Sequence, residues 1–206
     1  MYKLAELYAS SASVADYAPK YVERLHEVLG GIDVGILDSM VDCIDQASRA
    51  GHRLYLVANG GSAGVAAHIV NDLVAGGYAE GTPPFRALCL SDNVPSVTAL
   101  ANDAGYDNVF ERQLRVHLEP GDVVLAMSVS GNSENVVRAI VFARERGATT
   151  LGWCGFEGGR LAEACDLVAH VPTTKDEYGP VEDAFSVLGH ILCGFLTMRH
   201  GKMLHH

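Results

Sequence analysis

The sequence predicts an α/β protein with a doubly wound, five-stranded parallel sheet and a pair of helices ahead of it. From residue 53 onward, short apolar runs alternate with helical stretches, and no linker rich in proline, serine or glycine interrupts them. Strands that are buried on both faces form continuous apolar runs, so this alternation indicates a parallel sheet covered by helices on both sides. The 206 residues are expected to fold as one domain.

The predicted elements follow one another without a repeat. Residues 1–50 are expected to form two amphipathic helices, the first ending at Gly30-Gly31, that belong to the same domain as segment 51–206. These helices cover either the chain's own sheet or another subunit. Strands are expected at residues 53–59, 85–91, 122–130, 149–155 and 166–172. A helix should run from Gly60 to about Ala75, and a long one from near Pro180 to about Arg199.

The composition excludes several functional classes. With 49% hydrophobic and 19% charged residues, the chain has enough apolar material for a core and is not disordered. Its formal net charge of -10 opposes a phosphate backbone, so no nucleic-acid partner is expected. Neither a membrane span nor a leader is expected, which predicts a cytoplasmic protein with its five scattered cysteines reduced. The final His205 and His206 are given no functional weight.

Two loops that follow predicted strands have the residue types of a phosphate site. They are Asn59-Gly60-Gly61-Ser62 after the first strand and Ser128-Val129-Ser130-Gly131-Asn132-Ser133 after the third. In a doubly wound sheet such loops lie at the carboxyl edge, where helix N-termini present free N–H groups to a ligand. The spacing of a nucleotide-binding loop is absent, so the pattern favours a phosphate cradle. An ordinary serine-capped helix start is the alternative.

A second group of residues combines imidazoles with carboxylates. His68 and Asp72 are one helical turn apart and share a face, as metal-binding pairs on helices do. The last predicted helix adds Glu182 and His190 to an apolar run, where a histidine hydrogen-bonded at a helix interface is the alternative. Glu182 and His190 are separated by about 12 Å along a straight helix. One metal ion therefore joins them only at full side-chain reach, through a bend, or across subunits.

Other candidates carry less information. Asn102 and Asp103 follow an apolar helical run and either contact a polyol or cap the next segment, and the cap is the favoured interpretation. Tyr178 precedes Gly179-Pro180 and is interpreted as a turn residue.

These segments together resemble the sugar isomerase (SIS) superfamily, and most closely its phosphoheptose isomerase branch. The resemblance spans about residues 30 to 195 and is carried by NGGS, SVSGNS, TALANDAGYDNVFERQ and GHILC. It implies the SIS fold, which is flavodoxin-like, and a cytoplasmic homotetramer whose active sites are shared between subunits. It further implies a zinc-containing enzyme that interconverts sedoheptulose 7-phosphate and a heptose 7-phosphate.

The resemblance also assigns expected roles to residues. Ser62, Ser128, Ser130 and Ser133 are expected to hold the phosphate. The other substrate-binding residues are expected to be Asn59, Gly60, Gly61, Val129, Asn132, Asn102, Asp103 and Glu182. The metal ligands are expected to be His68, Asp72, Glu182 and His190, with Asp72 and His190 as catalytic base and acid.

Several positions depart from the pattern of the family. Asp72 stands where the family has Glu, and Glu182 stands where it has Gln. Two imidazoles and two carboxylates leave a divalent ion neutral, so the two acidic positions are expected to compensate for each other. Val129, Gly76 and Gly179 replace the more usual Thr, Arg and Asp. These changes surround the sugar and leave phosphate binding intact.

Three functions fit these features. The first is an aldose–ketose isomerase of a seven-carbon sugar phosphate, which moves a proton between C1 and C2 through an ene-diol. The second is an isomerase of another phosphosugar. The third is a non-catalytic SIS module that senses a sugar phosphate or assists assembly. Because a non-catalytic relative lacks the catalytic carboxylate and the final histidine, Asp72 and His190 favour an enzyme.

Overall fold

A computed structural model describes residues 2–202, and His205 and His206 lie outside this range. One parallel sheet has the strand order β2-β1-β3-β4-β5. Its strands are β1 (Arg53–Ala58), β2 (Arg86–Cys89), β3 (Val123–Ser128), β4 (Thr149–Cys154) and β5 (Leu167–His170). The predicted doubly wound sheet is confirmed. Because the order reverses between β1 and β3, the loops that follow these two strands lie side by side, where doubly wound sheets bind ligands.

The helices of the described chain alternate with the strands. They are α1 (Lys3–Ala9), α2 (Val14–Gly30), α3 (Gly35–Ala50), α4 (Gly60–Asn71), α5 (Val94–Ala104), α6 (Val109–His117), α7 (Glu134–Glu145), α8 (Gly159–Ala164) and α9 (Tyr178–Arg199). A π-helical segment, Asp72–Gly76, continues α4, and a 3₁₀ turn, Tyr106–Asn108, precedes α6. Gly179-Pro180 lies in the first turn of α9, as the sequence predicts.

The N-terminal segment contains three helices, and the prediction of two is wrong. A run of serines separates α1 from α2, because serine side chains bond to the local backbone and compete with the helix. The hydroxyls of Ser10 and Ser11 donate to the carbonyl of Leu7 at 3.0 and 2.6 Å. The hydroxyl of Ser13 then caps α2 by accepting from the N–H of Asp16 at 3.2 Å.

The sheet is covered on both faces. On one face α3, α4 and α9 pack in a single apolar core, and on the other α6, α7 and α8 form a second core. The apolar side of α3, which includes Met40 and Ile44, is buried in the first core, so this helix covers the chain's own sheet. In contrast, α2 buries only Val28 among its residues and lies against α9.

Among the described residues, α9 is the helix that has the length and apolar composition of a membrane-crossing segment. Half of its 18-residue apolar window is buried inside the protein. Such burial is typical of the core helix of a globular domain.

A buried ion pair joins α2 to the start of α9. Arg24 Nε donates to Glu177 Oε1 at 2.6 Å, and the Glu177 side chain is fully buried. The N–H and hydroxyl of Thr174 donate to Glu177 Oε2 at 2.7 and 2.9 Å. Burial raises the pKa of Glu177, but the hydrogen bonds from Arg24 and Thr174 outweigh it and hold this pKa below its usual value.

We expect Arg24→Met to lower the free energy of unfolding by roughly 2 to 3 kcal/mol at neutral pH, because Glu177 keeps only Thr174 as a partner. A carboxyl with a lowered folded-state pKa stabilises the fold above its unfolded pKa, and this contribution is lost as the pH falls through the folded pKa. Urea unfolding at neutral and acidic pH should therefore give a deficit that shrinks in acid. Glu27→Gln removes an exposed partner of Arg24 and is the control. A deficit independent of pH would contradict this account.

Candidate active site

An open cleft of about 280 Å³ lies between the carboxyl ends of β1 and β3. Its lining comes from both predicted loops and from the start of α9: Asn59, Gly60, Gly61, Ser62, Met127, Ser128, Val129, Ser130, Ser133, Tyr178 and Glu182. Because α4 and α7 both begin at this cleft, their free backbone N–H groups add to the serine hydroxyls as anion donors.

The serine hydroxyls of the second loop lie close together. Ser128 Oγ and Ser133 Oγ are 3.1 Å apart, and Ser130 Oγ accepts from the N–H of Asn132 at 3.2 Å. Asn132 does not line this cleft but lines a neighbouring hollow that adjoins it at Ser130. Its side chain donates to the Ser130 carbonyl at 2.9 Å and accepts from the N–H of Arg160 at 3.2 Å, so it shapes the loop.

The second loop is held against the loop that follows β4. Gly131 has a φ of +65°, and a Cβ there would overlap the carbonyl of Gly158. The N–H of Leu161 donates to the Gly131 carbonyl at 2.8 Å. Only glycine satisfies both the left-handed backbone and this close approach.

Asn59 joins the two loops through residues that sequence reasoning missed. Asn59 and Asn135 exchange side-chain hydrogen bonds of 2.8 and 2.9 Å, and Tyr106 Oη donates to Asn59 Oδ1 at 2.8 Å. Asn135 is buried in the first turn of α7. An amide at the start of an apolar helical run was the signal that could have identified it.

Tyr178 also has a larger role than the predicted turn residue. It is the first residue of α9 and lines the cleft. Its ring packs edge-on against Phe156, with ring centres 5.1 Å apart. Tyr178 therefore forms the wall of the cleft on the side of α9, and Phe156 packs behind it.

Three of the four predicted metal ligands come together further along α4 and α9. Ligand atoms of His68, Asp72 and His190 all lie within 4.8 Å of one another. His68 Nε2 is 3.4 Å from Asp72 Oδ1, and the two imidazoles meet edge to face with centres 4.9 Å apart. Asp72 is buried and opens the π-helical segment, whereas both histidines are exposed. Such π-helical turns often occur at functional sites.

The donor set of this cluster fits a divalent metal. Two imidazole nitrogens and one carboxylate oxygen are the ligands of catalytic zinc sites that keep a position open for water or substrate. The exposed side of the cluster, which His68 and His190 form, leaves room for such a position.

Within the described chain Glu182 lies apart from this cluster, so of the routes that the sequence leaves open, only the one across subunits would bring it to the same metal ion. Its carboxylate accepts from Ser62 Oγ at 3.2 Å and lies over Gly61, where a Cβ would overlap it. Ser62 faces Glu182 while His68 faces His190, so α4 and α9 run parallel. The two carboxylates therefore lie two to three helical turns, or roughly 12 to 15 Å, apart along this pair. Within the described chain, straight helices keep Glu182 in the cleft and away from Asp72.

Asn102 and Asp103 lie in the last turn of α5, and both are exposed. Asn102 Nδ2 donates to Asp103 Oδ1 at 2.8 Å, and neither residue lines the cleft. The interpretation that they cap the next segment is wrong, because Gly105 and Asn108 hold the N-cap positions of the 3₁₀ turn and of α6. The described chain also does not bring the two residues to the cleft as polyol contacts.

The separation of the two carboxylates reverses one expectation from the sequence. Asp72→Glu and Glu182→Gln were expected to compensate for each other, but groups this far apart usually act independently. We now expect their effects on kcat/KM to add within about 0.5 kcal/mol in a double-mutant cycle. Because Glu182 and Ser62 touch, Glu182→Gln with Ser62→Ala should show non-additivity and is the positive control. A coupling energy above about 1 kcal/mol between the two carboxylates would restore the compensation hypothesis.

Comparison with known proteins agrees with this fold. The SIS domain family model matches residues 16–155. The chain is 41% identical to the phosphoheptose isomerase of Rhodospirillum rubrum over 148 residues, 72% of this chain and 77% of that protein. It is 33% identical to the phosphoheptose isomerase of Aquifex aeolicus over 192 residues, 93% of each protein.

Solved structures show the same relationship. The phosphoheptose isomerase from Neisseria gonorrhoeae is similar with a TM-score of 0.79 and 26% identity, covering 88% of this chain and 96% of that one. The chain belongs to the SIS domain family. Within that family it is an enzyme, a phosphosugar isomerase related to the phosphoheptose isomerases. The relatives favour this assignment over a non-catalytic module.

Proposed function

We propose that this enzyme interconverts sedoheptulose 7-phosphate and a D-glycero-heptose 7-phosphate with the help of a divalent metal, zinc being the best fit. The spacing of two groups of residues along α4 and α9 carries this proposal. The serine-lined cleft lies at the start of both helices, and the cluster of His68, Asp72 and His190 lies about two turns further along. An extended seven-carbon sugar phosphate has its phosphate and its carbonyl at opposite ends, as this arrangement requires.

The residues of the chain have distinct roles in the proposed reaction. The reaction moves a proton between C1 and C2 of the open-chain sugar and needs a base beside the carbons and an acid at the oxygens. Asp72 Oδ1 faces His68 and accepts from Asn71, which leaves Oδ2 to accept the proton from carbon. His190 donates a proton to the carbonyl oxygen at C2, which gives the ene-diol. Asp72 then returns its proton to C2, and the C1 hydroxyl returns a proton to His190, so that the aldose forms and both residues regain their starting states.

The metal and the cleft contribute binding and charge stabilisation. His68, Asp72 and His190 would hold the metal, which polarises the carbonyl and hydroxyl oxygens when bound. The serine hydroxyls and the first turns of α4 and α7 hold the phosphate, so that the reacting carbons are positioned at the cluster. Glu182, beside Ser62, accepts a hydrogen bond from a sugar hydroxyl between the two ends.

We also propose a cytoplasmic homotetramer. Three exposed apolar residues share one face of α9 just beyond His190: Ile191, Phe195 and Met198. A second copy of the chain would cover this surface, and the site beside it, in the assembled protein. Light scattering measures the mass directly, and a monomer at micromolar concentration would contradict the tetramer.

The substrate and the metal are tested together by proton NMR. Zinc-loaded protein is mixed with sedoheptulose 7-phosphate, with and without a chelator, and the anomeric signals of the aldose product are followed. We expect product only with metal, and no turnover of a six-carbon ketose phosphate used as the control. Conversion of the shorter sugar alone would contradict the seven-carbon substrate. Turnover that survives complete metal removal would contradict the role of the metal.

A further inference from the structure

A second hollow adjoins the cleft at Ser130. This hollow has a volume of about 290 Å³ and shares Ser130 and Tyr178 with the cleft. Lys175 and Glu157 are among the residues on its remaining sides. Because two residues line both spaces, the two spaces adjoin at the serine loop, and together they are called the depression.

The groups that line the cleft carry less positive charge than a bound phosphate carries negative charge. Among the cleft-lining residues of the described chain, Glu182 is the one charged side chain, and it is acidic. A phosphate monoester carries about -1.5 to -2 charges at neutral pH, whereas each helix N-terminus contributes about +0.5. Within residues 2–202, Lys175 is the cationic residue that lines either part of the depression.

The turn that carries Lys175 is firmly anchored. Next to it, the hydroxyl of Thr174 shares its hydrogen between Asp176 Oδ1 at 2.6 Å and Glu177 Oε2 at 2.9 Å, and the N–H of Glu177 donates to the carbonyl of Thr174 at 3.0 Å. Glu177 in turn makes the buried pair with Arg24. The backbone at Lys175 is therefore held at the rim of the depression by contacts that do not involve its own side chain.

The side chain of Lys175 is, by contrast, weakly held. Its Nζ lies 3.7 Å from Glu157 Oε2, and these side chains are 64% and 81% exposed. Exposed ion pairs of this kind contribute little stability. The flexible four-carbon stem thus leaves the ammonium group available to a stronger anion at Ser130.

We propose that Lys175 is a phosphate-binding residue, whose ammonium group leaves Glu157 and pairs with the phosphate held by the serine loop. Tyr178 and Phe156 form the wall beside which the lysine stem folds inward. This inference rests on the proposed function for the identity of the sugar, but the binding of a phosphate group by Lys175 does not depend on which sugar carries it. It assigns a substrate contact to a residue outside the two serine loops.

Calorimetric titration with inorganic phosphate tests the contact directly. We expect Lys175→Met to weaken phosphate binding about tenfold and to reduce its salt dependence, because one charged hydrogen bond is lost. Lys175→Arg should restore most of the affinity. Arg86→Met removes a cation at the opposite edge of the sheet and should bind phosphate as the unaltered protein does. Equal affinity of Lys175→Met and the unaltered protein would overturn the proposal.

Two further measurements test whether Lys175 itself contacts the phosphate and separate this inference from the proposed substrate. Glu157→Gln frees Lys175, so phosphate should bind at least as tightly as before, and weaker binding would overturn the proposal. With sedoheptulose 7-phosphate, Lys175→Met should raise KM about tenfold and change kcat much less. A protein that binds phosphate through Lys175 but does not convert this sugar would refute the proposed substrate alone. A protein that converts the sugar but binds phosphate independently of Lys175 would refute this inference alone.

Discussion

His190→Ala is expected to lower kcat by a factor of about 10² to 10⁴, the usual contribution of a general acid or base. The exposed imidazole of His190 meets that of His68 beside Asp72, so its loss removes the proposed acid and one metal ligand together. His26→Ala removes an exposed histidine from α2 and is the matched control. Turnover of sedoheptulose 7-phosphate followed by NMR measures the effect. A kcat within a few-fold of the original would remove His190 from the mechanism.

Asp72→Asn separates proton transfer from metal binding at the same cluster. The amide has the size of the carboxylate and still offers an oxygen ligand, but it does not accept a proton at neutral pH. Bound zinc measured by atomic absorption should therefore fall less than kcat does. If metal content and kcat decrease in parallel, Asp72 acts as a ligand and another residue is the base.

Ser130→Ala combined with Ser133→Ala is expected to weaken a sugar phosphate by a factor of roughly 10² to 10⁴, since each charged hydrogen bond contributes about 1.5 to 3 kcal/mol. The fold should tolerate the change. Ser133 precedes α7 without a side-chain capping bond, and its hydroxyl is instead 3.1 Å from that of Ser128. The substitutions therefore remove ligand contacts rather than a helix cap.

Calorimetry with the phosphorylated and the unphosphorylated sugar measures this loss. The phosphorylated sugar should lose its affinity for the double variant, whereas the weak binding of the unphosphorylated sugar should not change. Ser96→Ala, on α5 and outside the cleft, controls for the loss of a hydroxyl. Unchanged affinity for the sugar phosphate would mean that the serine loop is only a helix start.

The sheet and its two ligand loops were predictable because they depend on local patterns. A short, continuous apolar run such as 122–130 is typical of a strand that is buried on both faces of a sheet. The observed strand β3 lies within that range. The two glycines and the serine of 59–62 indicate a tight turn into a helix, and this signal lies within one short segment. His68 and Asp72 share a face through helical periodicity alone.

The remaining features depend on how distant segments pack. No local pattern shows that Asn135 bonds to Asn59 or that Tyr178 packs on Phe156, since these contacts exist only after folding. Glu182 shows the same limit. The sequence places it eight residues before His190, but the parallel packing of α4 and α9 decides that it faces Ser62.

The contact between Gly131 and Gly158 has a consequence for how the enzyme recognises its substrate. Two backbone loops that touch without a side chain between them cannot be moved apart or reshaped by the incoming ligand at small cost. The serine loop therefore loses its conformational entropy when the chain folds and not when the sugar binds. In the proposed binding mode the phosphate end of the substrate meets a fixed docking point, so any adaptation to different sugars has to occur at the opposite end of the molecule.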